Sequence, residues 1–415
     1  MNEIKNIIRR LRETKVLENY SFMTALSVLS ALIGLIIYPY VIRVVGKEMY
    51  GTYVYALTLI SYFLIVMDFG FDPPCAKAIV QANGNKDAYS HIVSAVFTAK
   101  LLLTIICGGI IAFLFHFVPF MASHKMLCVF AFVQAFAQVL FPGWYFQGTK
   151  TMKVVTYINL GFRLLTIPFI IGLIHSPSDV WYYALIVMLS IVLGTLSAYI
   201  FLIHDGIHIR LLPFREVKCF FKDGFPFFVT NLSDGLKSAI LKTVIKQTLG
   251  VGEVAIYDMA EKIVNIPHIL TQNINGALFP EIINNAAPRR VKKVLQTERT
   301  IGFAFMLLTI LLSYPAVLIL GGEQMRDAIP VTMILSITIY TWLVVGAYLN
   351  FIFVPQNKYY FVTINQFVAL FSCILLMSVG LLIWRDVTMV ALVRMLSGIA
   401  EIIFCTYITR KHKFL

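Results

Sequence analysis

The chain has 415 residues, of which 59% are hydrophobic and only 13% charged, against roughly half and a quarter in soluble domains. No water-soluble fold can bury that much apolar surface, so a soluble enzyme or binding module is excluded. A net charge of +13 would point to nucleic acid in a soluble protein, but Lys and Arg retained on the cytoplasmic face of a membrane protein give the same excess, and no nucleic-acid partner is expected.

In chain order, residues 1–19 come first: Ile4, Ile7, Ile8 and Leu11 recur at helical spacing with Lys5, Arg9, Arg10 and Arg12 at the other positions. That pattern predicts a cytoplasmic amphipathic segment on the inner leaflet. It is too charged for a signal-peptide core and shows no small-residue cleavage site, so the first apolar run is expected to stay as an anchor. A bilayer core of about 30 Å takes roughly 20 apolar residues per helix. About twelve such runs follow: 20–42, 51–71, 92–116, 126–146, 154–174, 180–203, 225–249, 255–283, 301–320, 330–354, 361–383 and 389–409. Residues 204–224 form a basic cytoplasmic linker after span 6, and 410–415 a cytoplasmic tail.

Outside these runs, 22 Lys and Arg lie on the side that carries the termini and 5 on the other. The asymmetry predicts a multi-pass protein with both termini in the cytoplasm. The longest extramembrane stretches, 204–224 and 284–300, are far shorter than a domain's usual minimum of about 50 residues, which leaves no place for a soluble catalytic domain. An internal repeat is visible as well. Gly46, Tyr53 and Ala56 recur as Gly250, Tyr257 and Ala260, each 204 positions on, and Ile158 and Asn159 recur as Ile364 and Asn365, 206 positions on. The agreement in offset and topology predicts two six-helix halves, 20–203 and 225–409, related as a parallel repeat.

Cys75, Cys107, Cys128, Cys219, Cys373 and Cys405 lie in or beside apolar runs without CxxC or Cys/His spacing, and the eight histidines show no ligand spacing. Neither a metal nor a cofactor is expected. Trp144, Tyr145, Trp181, Tyr182 and Trp384 fall at span ends and read as interfacial anchors. Pro39, Pro142, Pro168, Pro226 and Pro267 fall within or at the ends of spans, where proline is common in membrane helices.

Several short stretches carry a family resemblance: Pro39-Tyr40-Val41-Ile42-Arg43-Val44-Val45-Gly46, Tyr50-Gly51-Thr52-Tyr53 and Asp68-Phe69-Gly70-Phe71 around spans 1 and 2. Pro142-Gly143-Trp144-Tyr145-Phe146-Gln147-Gly148 and Ala277-Leu278-Phe279-Pro280 follow further on. Over nearly its whole length the chain resembles the O-antigen (Wzx-type) flippases of the polysaccharide transporter family, in the superfamily that also holds the MATE extruders. The resemblance implies an all-α, V-shaped, two-lobed protein of the bacterial inner membrane. It also implies alternating access that carries an undecaprenyl-pyrophosphate-linked oligosaccharide to the periplasmic leaflet, with a polysaccharide polymerase and a chain-length regulator as partners.

A charge at a bilayer centre costs at least about 2.5 to 3.5 kcal/mol, so charges inside spans are expected to face the protein interior or water. Seven basic residues are of this kind: Lys100, Arg163, Lys237, Lys242, Lys246, Lys262 and Arg394. Four acidic ones accompany them, Asp234, Asp258, Glu261 and Glu401. The basic excess predicts an anionic ligand. Asp234, Lys237, Lys242 and Lys246 share one broad half of span 7 with Leu241 and Ile245, a mixed face suited to a phosphate head group and an isoprenoid or sugar. Lys100, Arg163 and Lys237 are deepest and have no evident local partner, so they are the leading substrate contacts, with Lys242, Lys246 and Lys262 beside them. Lys246 equally fits a lysine that snorkels to the interface.

Asp234, Asp258, Glu261 and Glu401 are candidates for ion coupling. The plainer expectation is that Asp258 and Lys262, at i and i+4, neutralise one another and that Arg394 and Glu401, seven apart, form a structural ion pair. A drug or cation extruder of the same superfamily is the alternative function, and would be expected to have an acidic cavity. A membrane polymerase or glycosyltransferase would need a large loop or a nucleotide-sugar domain. No GxxxxGK[ST] motif supports ATP hydrolysis.

Overall fold

The computed structural model describes residues 15–149, 151–284, 288–356, 358–412 and 414. The amphipathic segment expected at 1–19 lies almost entirely outside the described residues. Those described are overwhelmingly helical, with no strand among them. The longer helices are α1 (Lys15–Asp68), α3 (Lys86–Phe117), α5 (Lys125–Leu140), α7 (Met152–Leu173), α8 (Val180–His204), α9 (Phe214–Thr248), α10 (Val251–Asn284), α11 (Pro288–Gly321), α12 (Ala328–Tyr348), α13 (Tyr359–Ile383) and α14 (Val387–Lys411). Three short helices join them: α2 (Asp72–Gln81), α4 (Pro119–Ser123) and α6 (Gly143–Gly148). Nine helical stretches among the described residues are long and apolar enough to cross a membrane. The predicted twelve spans each fall on helix, but span 1 is counted only in part, within one stretch with span 2 (Ile36–Gln81), and α9 and α10, at spans 7 and 8, are not among the nine.

Spans 1 and 2 run through a single helical stretch broken at Gly46, whose φ of 79° and ψ of 162° are open to glycine and costly for any residue with a Cβ. Helix α1 ends on Asp68-Phe69-Gly70-Phe71. Phe69 (φ 49°) and Gly70 (φ 69°) both adopt positive φ, turning the chain into α2. At Gly70 the backbone of Phe227 and Phe228 on α9 comes so close that an added Cβ would sit 2.6 Å from the Phe228 amide nitrogen. The ring of Phe69 then stacks on Phe228 at 4.6 Å and 9°. Two adjacent residues of the family-like stretch thus have a packing reason.

The chain forms two compact units: Met1–Pro39 with Ile256–Leu415, and Tyr40–Ala255. In the first, α11 packs on α12, α12 on α14 and α14 on α13. Its core includes Leu295, Val344, Tyr348, Phe351, Phe361, Cys405 and Ile408. In the second, α8 packs against α5 and α7, α2 against α6, and α9 against α2 and α3, around Phe71, Ile79, Val96, Trp144, Tyr145, Phe146 and Leu202. Trp144 and Tyr145 are therefore core residues, 3% and 1% exposed, and not the interfacial anchors expected. The short helix α6 turns them inward onto α2, where Gly148 fits against Ile79, and the Tyr145 hydroxyl is satisfied by Asp205 Oδ2 at 2.9 Å. Trp384, by contrast, is exposed.

The grouping by packing is not the six-plus-six division read from the repeat, because α9 lies with the N-terminal helices. The two repeat-related halves stand as a proposal.

Candidate functional site: a charged cavity on α10

Helix α10 carries Asp258, Glu261, Lys262, Asn265 and His268 at spacings of three, one, three and three, so they form one stripe. That stripe lines a cavity of about 290 Å³ inside the first unit, closed by Leu335 and Thr338 of α12 and Arg394 of α14. Two acids and two bases face the same space. Asp258, 8% exposed, is ion-paired with Lys262, as the i,i+4 spacing predicted. The Lys262 ammonium also lies over the Tyr38 ring, 4.7 Å from its centroid. Across the cavity Arg394 Nη1 stands 3.7 Å from Glu261 Oε1, beyond ordinary hydrogen-bond length, and the His268 ring stacks on Trp342 at 5.1 Å and 17°.

The expected pairing of Arg394 with Glu401 is not formed. Seven residues on one helix span about 10 Å along the axis, so each residue finds its partner on a neighbouring helix. Glu401 accepts from Asn365 Nδ2 of α13 at 3.0 Å, and Asn365 Oδ1 accepts in turn from the Cys405 thiol at 3.3 Å. Glu401 therefore belongs to a buried polar chain between α13 and α14 and does not line the cavity.

Volume decides what the cavity can hold. Pockets that enclose drug-sized ligands measure about 300 to 1,000 Å³; at about 290 Å³ this cavity lies at the lower edge of that range and is too small for an oligosaccharide with its pyrophosphate. It places two carboxylates and two cations, paired as Asp258 with Lys262 and Glu261 with Arg394, around one space. Among the described residues no group of three or more His, Cys, Asp or Glu is arranged to hold a metal ion.

The second unit treats its charges differently. Lys100, 2% exposed, has no need of a ligand. Its ammonium donates to Asp72 Oδ1 at 2.9 Å, Asp68 Oδ1 at 3.1 Å and the Val139 carbonyl at 2.9 Å. Three donors meet three acceptors, so the expectation that Lys100 lacks a partner is corrected. Arg163 is exposed on α7 and does not stand in a packed interior. Arg163, Lys237 and Lys242 also have interaction partners within the protein. Lys246 lies over Tyr55 and Phe120 at 5.3 and 5.6 Å, two rings that meet edge-on at 4.6 Å. On the same helix, Leu241 and Ile245 are fully buried. The side chain of Asp234 lies outside the described residues.

Asp258, Glu261 and Lys262 are brought together with Arg394. His268 and Asn265 escaped the sequence reading although they continue the α10 stripe. Asp68 and Asp72 escaped it as partners of Lys100 because they stand where a span ends.

The described residues form the helical architecture of a multi-pass membrane protein. It matches a MATE family multidrug resistance transporter of the MOP superfamily in its inward-facing conformation with a TM-score of 0.65 at 15% identity, over 92% of this chain and 99% of that one. A mutant MATE transporter of Vibrio cholerae matches at 0.59 and 12% identity, over 100% and 99%. Residues 16–286 match the family described as polysaccharide biosynthesis protein, and the chain belongs to that family. A protein of Escherichia coli (strain K12) described as "Putative O-antigen transporter" is 26% identical over 313 residues, 74% of this chain and 75% of that one.

Proposed function

We propose that this chain is a flippase: it carries an undecaprenyl-pyrophosphate-linked oligosaccharide, the repeat unit of an O-antigen or capsule, from the cytoplasmic to the periplasmic leaflet of the bacterial inner membrane by alternating access. The observation that carries the reading is the charged cavity on α10 in a chain of the polysaccharide biosynthesis family. An enzyme of that family would need a catalytic constellation. Ion pairs beside a small cavity instead suit a carrier that changes state. The O-antigen wording attached to the Escherichia coli relative supports the substrate class, and the excess of Lys and Arg on one side supports cytoplasmic termini. A polymerase and a chain-length regulator would then act on the product in the periplasm.

The cavity is too small for that substrate, so its role in this reading is coupling. Asp258 and Glu261 take up and release an ion while exchanging Lys262 and Arg394 as partners, which resets the empty carrier. Contacts to the pyrophosphate fall to Lys237, Lys242 and Lys246 of α9, with Arg163 of α7. The test is the sidedness of the lipid-linked oligosaccharide in cells lacking this chain. The reading predicts loss of surface glycan, with the intermediate held on the cytoplasmic leaflet. Normal glycan with greater susceptibility to cationic drugs would instead establish an extruder.

A further inference from the structure

Helix α14 ends in a second feature, unrelated to the charged cavity. Ile402, Ile403, Thr406, Tyr407, Arg410 and Lys411 line an open trough of about 630 Å³. Ile403 and Tyr407 are four apart, and Arg410 and Lys411 follow them within one helical turn, so a single stripe runs from apolar to cationic. Ile403 is 64% exposed and Tyr407 59%. Neither Arg410 nor Lys411 forms an ion pair with a carboxylate among the described residues; Lys411 lies 5.7 Å from the Tyr407 ring centroid. A third cation is tied to the same wall. The Tyr348 hydroxyl accepts from Arg299 Nη2 of α11 at 2.8 Å and from the Thr406 hydroxyl at 3.3 Å.

We propose that this trough is a binding site for an anionic phospholipid of the cytoplasmic leaflet. The phosphate is held at Arg410 and Lys411, with Arg299 nearby, and an acyl chain lies along Ile403 and Tyr407. The charge pattern selects this occupant. A free phosphate would leave the apolar floor unused, and a zwitterionic lipid would bring its own cation to two lysine and arginine heads that have no acid partner. Cations in the last turn of a helix also complement its macrodipole, but that does not account for Arg299 or for the apolar trough they overhang. The trough lies at the end of α14 nearest the tail, on the side where Lys and Arg are concentrated and where anionic lipids attract basic residues by roughly fivefold in affinity each.

The experiment uses the purified full chain, exchanged into bilayer nanodiscs of phosphatidylcholine with a minor fraction of phosphatidylglycerol, and native mass spectrometry of the lipid that stays bound. Wild type is expected to retain phosphatidylglycerol in preference to phosphatidylcholine. The R410Q/K411Q variant should lose about twenty-five-fold of that preference, the product of two such factors, with its melting temperature in neutral detergent unchanged because both residues are exposed. K218Q/K222Q, exposed on α9, should keep the preference. Equal retention by wild type and R410Q/K411Q, or an equal loss in K218Q/K222Q, would overturn the site, since the first denies the trough a role and the second makes binding a matter of net charge alone. Neither outcome depends on what the protein transports.

Discussion

Lys100 in one unit and the α10 stripe in the other both place acids and bases at membrane depth, and they end in opposite states. Around Lys100 every ammonium donor has an acceptor within 3.1 Å, packed against the core that holds Val96 and Ala99. Around α10 the Arg394–Glu261 contact is 3.7 Å, and about 290 Å³ of space separates the facing helices. A buried charge with saturated hydrogen bonds fixes structure, because moving it means abandoning all its partners at once. Charges beside a cavity can change partners through solvent. On the proposed reading, adjacent free volume is what separates a working charge from a structural one.

The largest effect should come from breaking the saturated cluster. Lys100→Met leaves Asp68 and Asp72 without their counter-charge and the Val139 carbonyl without its donor. Loss of one partner of a buried ion pair costs about 3 to 5 kcal/mol, reduced here to roughly 3 because both carboxylates are partly exposed. Membrane abundance and melting temperature should both fall. A Lys100→Met protein of normal abundance but without transport would reverse the comparison and return Lys100 to the substrate path.

A far smaller effect is expected from Tyr145→Phe. It removes the hydroxyl that donates to Asp205 Oδ2 and leaves the buried ring in place. Asp205 is half exposed and is also met by Lys86 at 3.7 Å, so the loss should be about 1 kcal/mol, read as a small drop in melting temperature with transport unchanged. Smaller again is Lys246→Gln, which gives up contacts with two rings worth about 0.5 to 1 kcal/mol together. Melting should barely move while glycan export falls, as the proposed pyrophosphate contact requires; normal export in this variant would remove Lys246 from the substrate path.

The helices were legible in the sequence because runs of about 20 apolar residues have few alternatives. The stripe of Asp258, Glu261 and Lys262 was legible because spacing on one helix is fixed. What escaped were relations between helices. Lys100 looked partnerless since its acids stand 28 and 32 positions away, beyond a turn that depends on Phe69 and Gly70. Arg394 looked paired with Glu401 because both face one way, though the nearer carboxylate belongs to another helix. Trp144 and Tyr145 looked like anchors because they close an apolar run, and the six-residue helix that folds them inward has no periodicity to reveal it.

In the proposed mechanism the α10 cavity couples transport to an ion gradient while the Lys100 cluster holds the fold. That mechanism is tested most directly by transport of the lipid-linked oligosaccharide in reconstituted vesicles, with and without an imposed pH or sodium gradient, for wild type, Asp258→Asn and Glu261→Gln. Both variants keep side-chain shape but remove one charge of an ion pair, so transport is compared per amount of folded protein in the vesicles. Wild-type transport should rise with one of the gradients, and each variant should lose that response by tenfold or more, corresponding to about 1.4 kcal/mol or more of coupling free energy. Wild-type transport indifferent to both gradients, or variants that respond as wild type does, would contradict the account.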